Sequence, residues 1–202
     1  DFYGLSSISG SLTNIHVLVI SDIDNAILPI VIGRLQSLQS LTLDEIEGEN
    51  AIPAEIGKLK NLTVFKITAS ELERVPPEIG NITNLKNLTI SDNEDMDTLP
   101  LSVATLTNLI NVTVKDNPKL SIPDSLLEQP KLETITINGE QIRELPTVVY
   151  RLSRLRLLDY SDNRIATVSS RLTEITSLQS ILFAHNQLAT FPNLDKLVNV
   201  EL

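Results

Sequence analysis

Apolar residues along this chain recur first at every third position and then at every second one. In "ITNLKNLTISDN", residues 82–93, the pattern is carried by Ile82, Leu85, Leu88 and Ile90, with polar side chains between them. The same phrase starts at Leu12, Leu35, Leu59, Ile82, Leu106, Gln129, Leu152 and Ile175, at spacings of 23, 24, 23, 24, 23, 23 and 23 residues. Recurrence at a fixed period marks one supersecondary unit stacked on its copies. The period-two part predicts a half-buried strand. In "NLTIS", Leu88 and Ile90 fall on one face, and Asn87, Thr89 and Ser91 on the other. Stacked copies pair these strands into a parallel sheet, ~4.8 Å per rib and on the order of 35 Å across.

Between the strand phrases a second string recurs: "AIPAEIGKL" (51–59), "RVPPEIGNI" (74–82), "TLPLSVATL" (98–106), "SIPDSLLEQ" (121–129) and "ELPTVVYRL" (144–152). Its proline predicts the start of the return path, because a fixed φ suits a first helical turn and the missing donor would be unpaired there. A short helical or 3-10 stretch follows. Asn93, Asn117, Asn163 and Asn186 close their phrases, and an inward amide there would satisfy buried backbone groups of the turn. Where this asparagine is replaced, at Ile23, Ile46, Ser70 and Glu140, the expectation is a ladder broken, or filled by water or apolar packing.

The composite pattern LxxLxxLxLxxN resembles the leucine-rich repeat family over about residues 12–202. The 23- to 24-residue units are of mixed type, and "IPAEIGKLKNL" is similar to the plant-receptor class. The resemblance implies an α/β solenoid, a right-handed horseshoe with a parallel sheet on its concave face and short helical or 3-10 segments on its convex face. It also implies a single domain over 1–202, with about eight repeats and incomplete units at 1–11 and 194–202. No rib buries its leucines alone: roughly seven apolar positions, at about 1.5 to 3 kcal/mol each, count only when neighbours cover them. Terminal ribs need covering, which raises the expectation of a protein continuing past both ends.

Composition narrows the chemistry. Apolar residues make up 42% of the chain but aromatics only 3%, so the core is aliphatic. There is no cysteine, hence no disulfide and no thiolate chemistry. A net charge of -10 argues against nucleic acid, which needs a basic stripe. Residues 1–100 hold 15 acids against 6 bases, and residues 101–202 hold 11 against 10, with six of the eight arginines between Arg143 and Arg171. No apolar run reaches the ~18 to 20 residues of a membrane span, so no membrane insertion is expected. The start at Asp1 and the absence of cysteine tilt the expected location toward the exterior or cell surface of a bacterium rather than the cytoplasm.

Catalytic and metal motifs are missing. His16 and His185 fall in the first and last full ribs, and no nucleophile elbow, phosphate loop or zinc motif is present. The acidic string "ISDNEDMDTLP" (90–100) suggests a calcium loop, yet it lacks the central glycine and regular alternation such a loop requires. It reads as a return loop with one extra residue. Four sequons, at Asn61, Asn81, Asn87 and Asn111, fit the glycan acceptor pattern, but the repeat itself generates them, since a polar residue before a leucine and a β-branched Thr after it suit the strand edge.

What remains is the concave face, to which the resemblance assigns partner binding. A first outward column holds Thr42, Lys66, Thr89, Thr113, Thr136 and Asp159; a second holds Asp44, Ser91, Lys115 and Asn138. A third holds Asp22, Glu45, Asp92, Asp116, Asp162 and His185, an acidic stripe interrupted by Ala69 and Gly139. Like charges on adjacent strands repel, so the stripe suggests steering of a basic partner. The expected function is non-enzymatic binding of a protein or peptide, without a cofactor or metal. The competing expectation is a spacer segment of a larger, exported or cell-surface protein.

Overall fold

Alternation of aliphatic and polar residues produces eight strands among the described residues: β1 (Val17–Ile23), β2 (Ser40–Ile46), β3 (Val64–Thr68), β4 (Asn87–Ser91), β5 (Asn111–Lys115), β6 (Thr134–Asn138), β7 (Leu157–Asp159) and β8 (Ser180–Leu182). The computed structural model describes residues 14–23, 28–48 and 51–194. The expected incomplete unit at 1–11, nearly all of that at 194–202, and Glu49 of the first acidic loop lie outside the described residues. The strands form one parallel sheet in sequence order. Each strand with its return path is called a rib, numbered by its strand.

The register follows the repeat. Leu41, Phe65, Leu88, Val112, Ile135, Leu158 and Ile181 align on consecutive strands and are buried. A second inward row runs Leu43, Ile67, Ile90, Val114, Ile137 and Tyr160. At the last ribs this row turns aromatic: Tyr160 stacks on Phe183 at 6.3 Å, and Phe183 meets Phe191 edge-on at 5.7 Å.

Among the described residues the return paths are 3-10 segments at Ile30–Arg34, Ala54–Lys58, Pro77–Asn81, Leu101–Thr105, Thr147–Arg151 and Ser170–Glu174, with one α-helical turn at Asp124–Leu127. The prolines stand one residue earlier than the sequence suggests. Pro29, Pro53, Pro76, Pro100, Pro123 and Pro146 occupy the cap with φ between -56° and -76° and extended ψ. Their carbonyls accept the first turn's bond, as Pro29 does from the Ile32 N–H at 2.9 Å. Only Pro77 lies within a first turn.

The interior ladder corrects a second expectation. The Asn93 N–H and Nδ2 both donate to Asn117 Oδ1, at 3.1 and 3.0 Å. Ser70 does not break the row: its N–H donates to Asn93 Oδ1 at 3.2 Å, and its hydroxyl accepts from the Ile46 N–H at 3.1 Å. Glu140 also keeps it, accepting from the Asn117 N–H and Nδ2 at 2.9 Å each. A hydroxyl and a carboxyl supply the acceptor that a buried N–H requires, so an amide is not the only solution. Ile46, by contrast, is apolar packing, 1% exposed.

On the convex side ribs 1 to 4 approach closely at one position. A Cβ placed on Gly33, Gly57 or Gly80 would meet the backbone oxygen of Glu55, Glu78 or Ser102 at 2.8, 2.6 or 2.5 Å. From rib 4 onward the position holds Ala104, Leu127 and Tyr150, and the convex segments no longer need that clearance. Gly80→Ala is therefore expected to lower stability in urea unfolding by roughly 1 to 3 kcal/mol through overpacking. Ala104→Gly, one rib on at an exposed site, should cost no more than about 1 kcal/mol.

Candidate functional site

The concave columns are in register as the sequence predicts. Thr42, Lys66, Thr89, Thr113, Thr136 and Asp159 lie side by side on six consecutive strands. Asp44, Thr68, Ser91, Lys115 and Asn138 form the next column. A further outward column, absent from the three expected ones, stands two residues before the first: Val17, Ser40, Val64, Asn87, Asn111, Thr134, Leu157 and Ser180. The same period of two, extended to the start of each strand, identifies it. Asn111 Nδ2 donates to Asn87 Oδ1 at 2.5 Å within it.

The third column has a backbone explanation that the repeat pattern hides. Asp22, Glu45, Ala69, Asp92, Asp116, Asp162 and His185 all adopt positive φ, between 47° and 58°, and Gly139 adopts 75°. In ribs 3 to 8 this is the rim of the sheet, where the chain leaves the strand in a left-handed conformation; in β1 and β2 the same position interrupts the pairing, which resumes at Ile23 and Ile46. Asp, Asn and His tolerate that conformation best after glycine. Aspartate at Asp22, Asp92, Asp116 and Asp162 thus follows from the turn as well as from any partner. Glu45 has no such preference. The rim also continues the inter-rib bonding: the N–H groups of Ala69, Asp92 and Asp116 donate to Ser91, Lys115 and Asn138 carbonyls at 3.0, 2.8 and 2.9 Å.

Side-chain partners divide the acids into two groups. Asp44 accepts a short hydrogen bond from the Thr68 hydroxyl. Asp159 accepts from Asn138 Nδ2 at 3.2 Å and the Ser161 N–H at 3.0 Å. Asp116 lies 3.7 Å from Lys115 Nζ, and Asp162 lies 2.8 Å from His185 Nδ1. The Asp116 and Asp162 pairs are solvent-exposed and weak, the Asp44 and Asp159 bonds are part-buried, and all of them occupy the carboxylates. Asp22, Glu45 and Asp92 have no side-chain partner among the described residues, and all three are exposed. Lys66 is exposed as well.

Asp92, Glu94, Asp116, Pro118 and Gly139 line a shallow depression beside the rim. Among the described residues no group of three or more His, Asp or Glu side chains could hold a metal ion. Met96 of the acidic loop is fully buried, which anchors that loop as a return path. Two of the four sequon side chains are tied to each other, Asn87 to Asn111. Asn61 Nδ2 donates to the Gln36 carbonyl at 2.7 Å, and Asn81 is exposed at the end of its 3-10 segment. No described helix is long and apolar enough to cross a membrane.

No family model matches the sequence, and no curated protein matches it. Solved structures do. A leucine-rich repeat protein of Leptospira interrogans, LIC12759, is 28% identical, with a TM-score of 0.83 over 94% of this chain and 48% of its own. The chain thus spans about half the length of that relative. Internalin C2 of Listeria monocytogenes is 22% identical, with a TM-score of 0.68 over 85% of this chain and 72% of its own. The Arabidopsis receptor kinase HAESA, crystallised with the peptide hormone IDA and the co-receptor SERK1, is 20% identical, with a TM-score of 0.62 over 93% and 41%. The last two likenesses are of fold.

If the rim is set by backbone conformation, Asp92→Asn and Asp92→Gly should stay within about 0.5 kcal/mol of the parent in urea unfolding, whereas Asp92→Val should cost about 1 to 2 kcal/mol. Equal losses for asparagine and valine would assign the cost to the charge instead.

Proposed function

The chain is a leucine-rich repeat solenoid, and on that premise we propose that it is a non-enzymatic module binding a protein or peptide segment along its concave sheet. The observation that carries this reading is the group of unpartnered carboxylates, Asp22, Glu45 and Asp92, on the rim of a continuous polar face. They stand in the half of the chain with the acid excess, 15 acids to 6 bases, which attracts and orients a basic partner. Thr42, Thr89, Ser91, Thr113, Thr136 and Asn138 offer hydroxyls and an amide along the path. Lys66, Lys115 and the occupied acids Asp44, Asp116, Asp159 and Asp162, with His185, set the register. HAESA, which carries a peptide hormone in its crystal structure, supports the choice of ligand class.

No aromatic side chain occurs in the three predicted columns, and interface hot spots favour Trp, Tyr and Arg. That feature favours a second reading, a structural spacer within a longer protein. Selection of displayed random peptides against the chain separates the two. Binding predicts lysine- and arginine-rich ligands whose affinity falls at least about tenfold, or ~1.4 kcal/mol, in Glu45→Lys/Asp92→Lys. The convex substitution Glu128→Lys should leave affinity unchanged. A spacer yields no enriched ligand, and ligands equally sensitive to both variants would refute the rim as the site.

A further inference from the structure

The ribs are of two kinds, and the change falls at Glu140. In ribs 3 to 5 the ladder residue's own N–H donates to the next side chain: Ser70 to Asn93, Asn93 to Asn117, and Asn117 to Glu140. In ribs 6 and 7 the donor is the residue two positions later: Ile142 to Asn163 at 3.0 Å and Ile165 to Asn186 at 2.9 Å. The rim slips by one residue at the same place. Asp116 donates to the carbonyl of Asn138, the last residue of β6, but Gly139 skips the equivalent Ser161 and donates to Asp162 at 3.0 Å, and Asp162 resumes the earlier register by donating to Ala184 at 2.9 Å. The sheet narrows there too, from five paired residues between β5 and β6 to three between β6 and β7.

Backbone conformation marks the same point. Glu140 lies between Gly139, at φ 75°, and Gln141, at φ 58°. Gln141 is the only described non-glycine residue with positive φ away from the rim column. Glu140 itself is 7% exposed. Its Oε1 accepts both bonds from Asn117, and its Oε2 is buried without a partner. An asparagine would carry an amide that donates to strand carbonyls, as Asn117 Nδ2 does to Lys115 at 2.8 Å and Asn163 Nδ2 does to Ile137 at 2.7 Å. An ionised carboxylate has no donor to offer.

We propose that Glu140 is a protonation-controlled joint: with its carboxyl neutral the two kinds of rib form one continuous arc, and ionisation opens the 139–142 loop and frees the two halves to bend relative to each other. Since the concave face crosses this joint, its curvature answers to pH whatever ligand the face takes. Burial raises the carboxyl from 4.5 to about 7, against the lowering effect of the two Asn117 hydrogen bonds, and Asp116 adds to the rise. A carboxyl whose folded value lies above its unfolded one stabilises the fold fully below the unfolded value, and loses that contribution as pH rises through about 7. Among the charged groups of the flanking ribs, Asp116, paired with Lys115 on rib 5, acts on the carboxyl; Asp162 is paired with His185 across ribs 7 and 8, and Arg164 of rib 7 meets the loop through its backbone N–H on the Ile142 carbonyl at 2.8 Å. None is a cation placed on the buried carboxyl.

The test is amide exchange by NMR on the full chain between pH 5.5 and 8.5, corrected for intrinsic rates, with the Glu140 carboxyl carbon titrated in parallel. The N–H groups of Asn117 and Ile142 should lose roughly thirtyfold protection relative to the β4 amides, with a midpoint matching the carboxyl titration. Glu140→Gln and Glu140→Asn, each neutral, should show no such loss. A flat wild-type profile, a carboxyl midpoint near the ordinary glutamate range, or the same slope in a neutral variant would overturn the joint, the last assigning the slope to a group other than Glu140. Binding by the concave face is scored separately with Glu45→Lys/Asp92→Lys, so failure of either idea leaves the other distinguishable.

Discussion

Where each strand ends, the chain turns inside the solenoid and brings backbone N–H and C=O groups into a place that water does not reach. Those groups must be bonded, and a single rib has nothing to bond them with. The Asn93 and Asn117 side chains, each fully buried, solve this by reaching in both directions. Asn117 Oδ1 takes the N–H of the rib before, while its Nδ2 returns to Lys115 and Ile90 carbonyls. Each turn is therefore completed by its neighbour. Aliphatic burial supplies most of the stabilisation, as in any repeat array, but the ladder requires that burial to be continuous from rib to rib.

The same exit from the strand shapes the candidate site. The chain can leave the sheet only through a left-handed residue, so the rim recurs in every rib and selects small or locally hydrogen-bonding side chains. A conformational demand thus lays acids in a row. What the row does then depends on which of them the fold has already occupied. The pairing of Asp116 with Lys115 and of Asp162 with His185 leaves the open carboxylates toward the N-terminal ribs, where Asp22, Glu45 and Asp92 face solvent.

The periodicity was sufficient to read strand positions, sheet order, both inward rows and the outward columns, because a period of two leaves no freedom in which face a residue takes. It was insufficient wherever one position serves two masters. Asp92 reads as a charge, yet its φ of 58° gives it a turn role that no spacing reveals. Ser70 and Glu140 read as gaps in an asparagine row, although an acceptor atom, not an amide, is what the neighbouring N–H requires. The early proline was misplaced by one residue because its carbonyl, not its ring, starts the 3-10 turn. Glu140 was least legible of all: its importance comes from a change in bonding register that exists only between ribs.

The central claim is that buried side chains couple one rib to the next, and a double-mutant cycle on Asn93 and Asn117 measures that coupling directly. Asn93→Ala, Asn117→Ala and the double variant would be compared by urea unfolding. The two residues share a bond from Asn93 Nδ2 to Asn117 Oδ1 at 3.0 Å, so the account predicts a coupling energy of at least about 1 kcal/mol. Losses that add to within about 0.5 kcal/mol would contradict it, and would reduce the ladder to two independent side chains in an aliphatic stack.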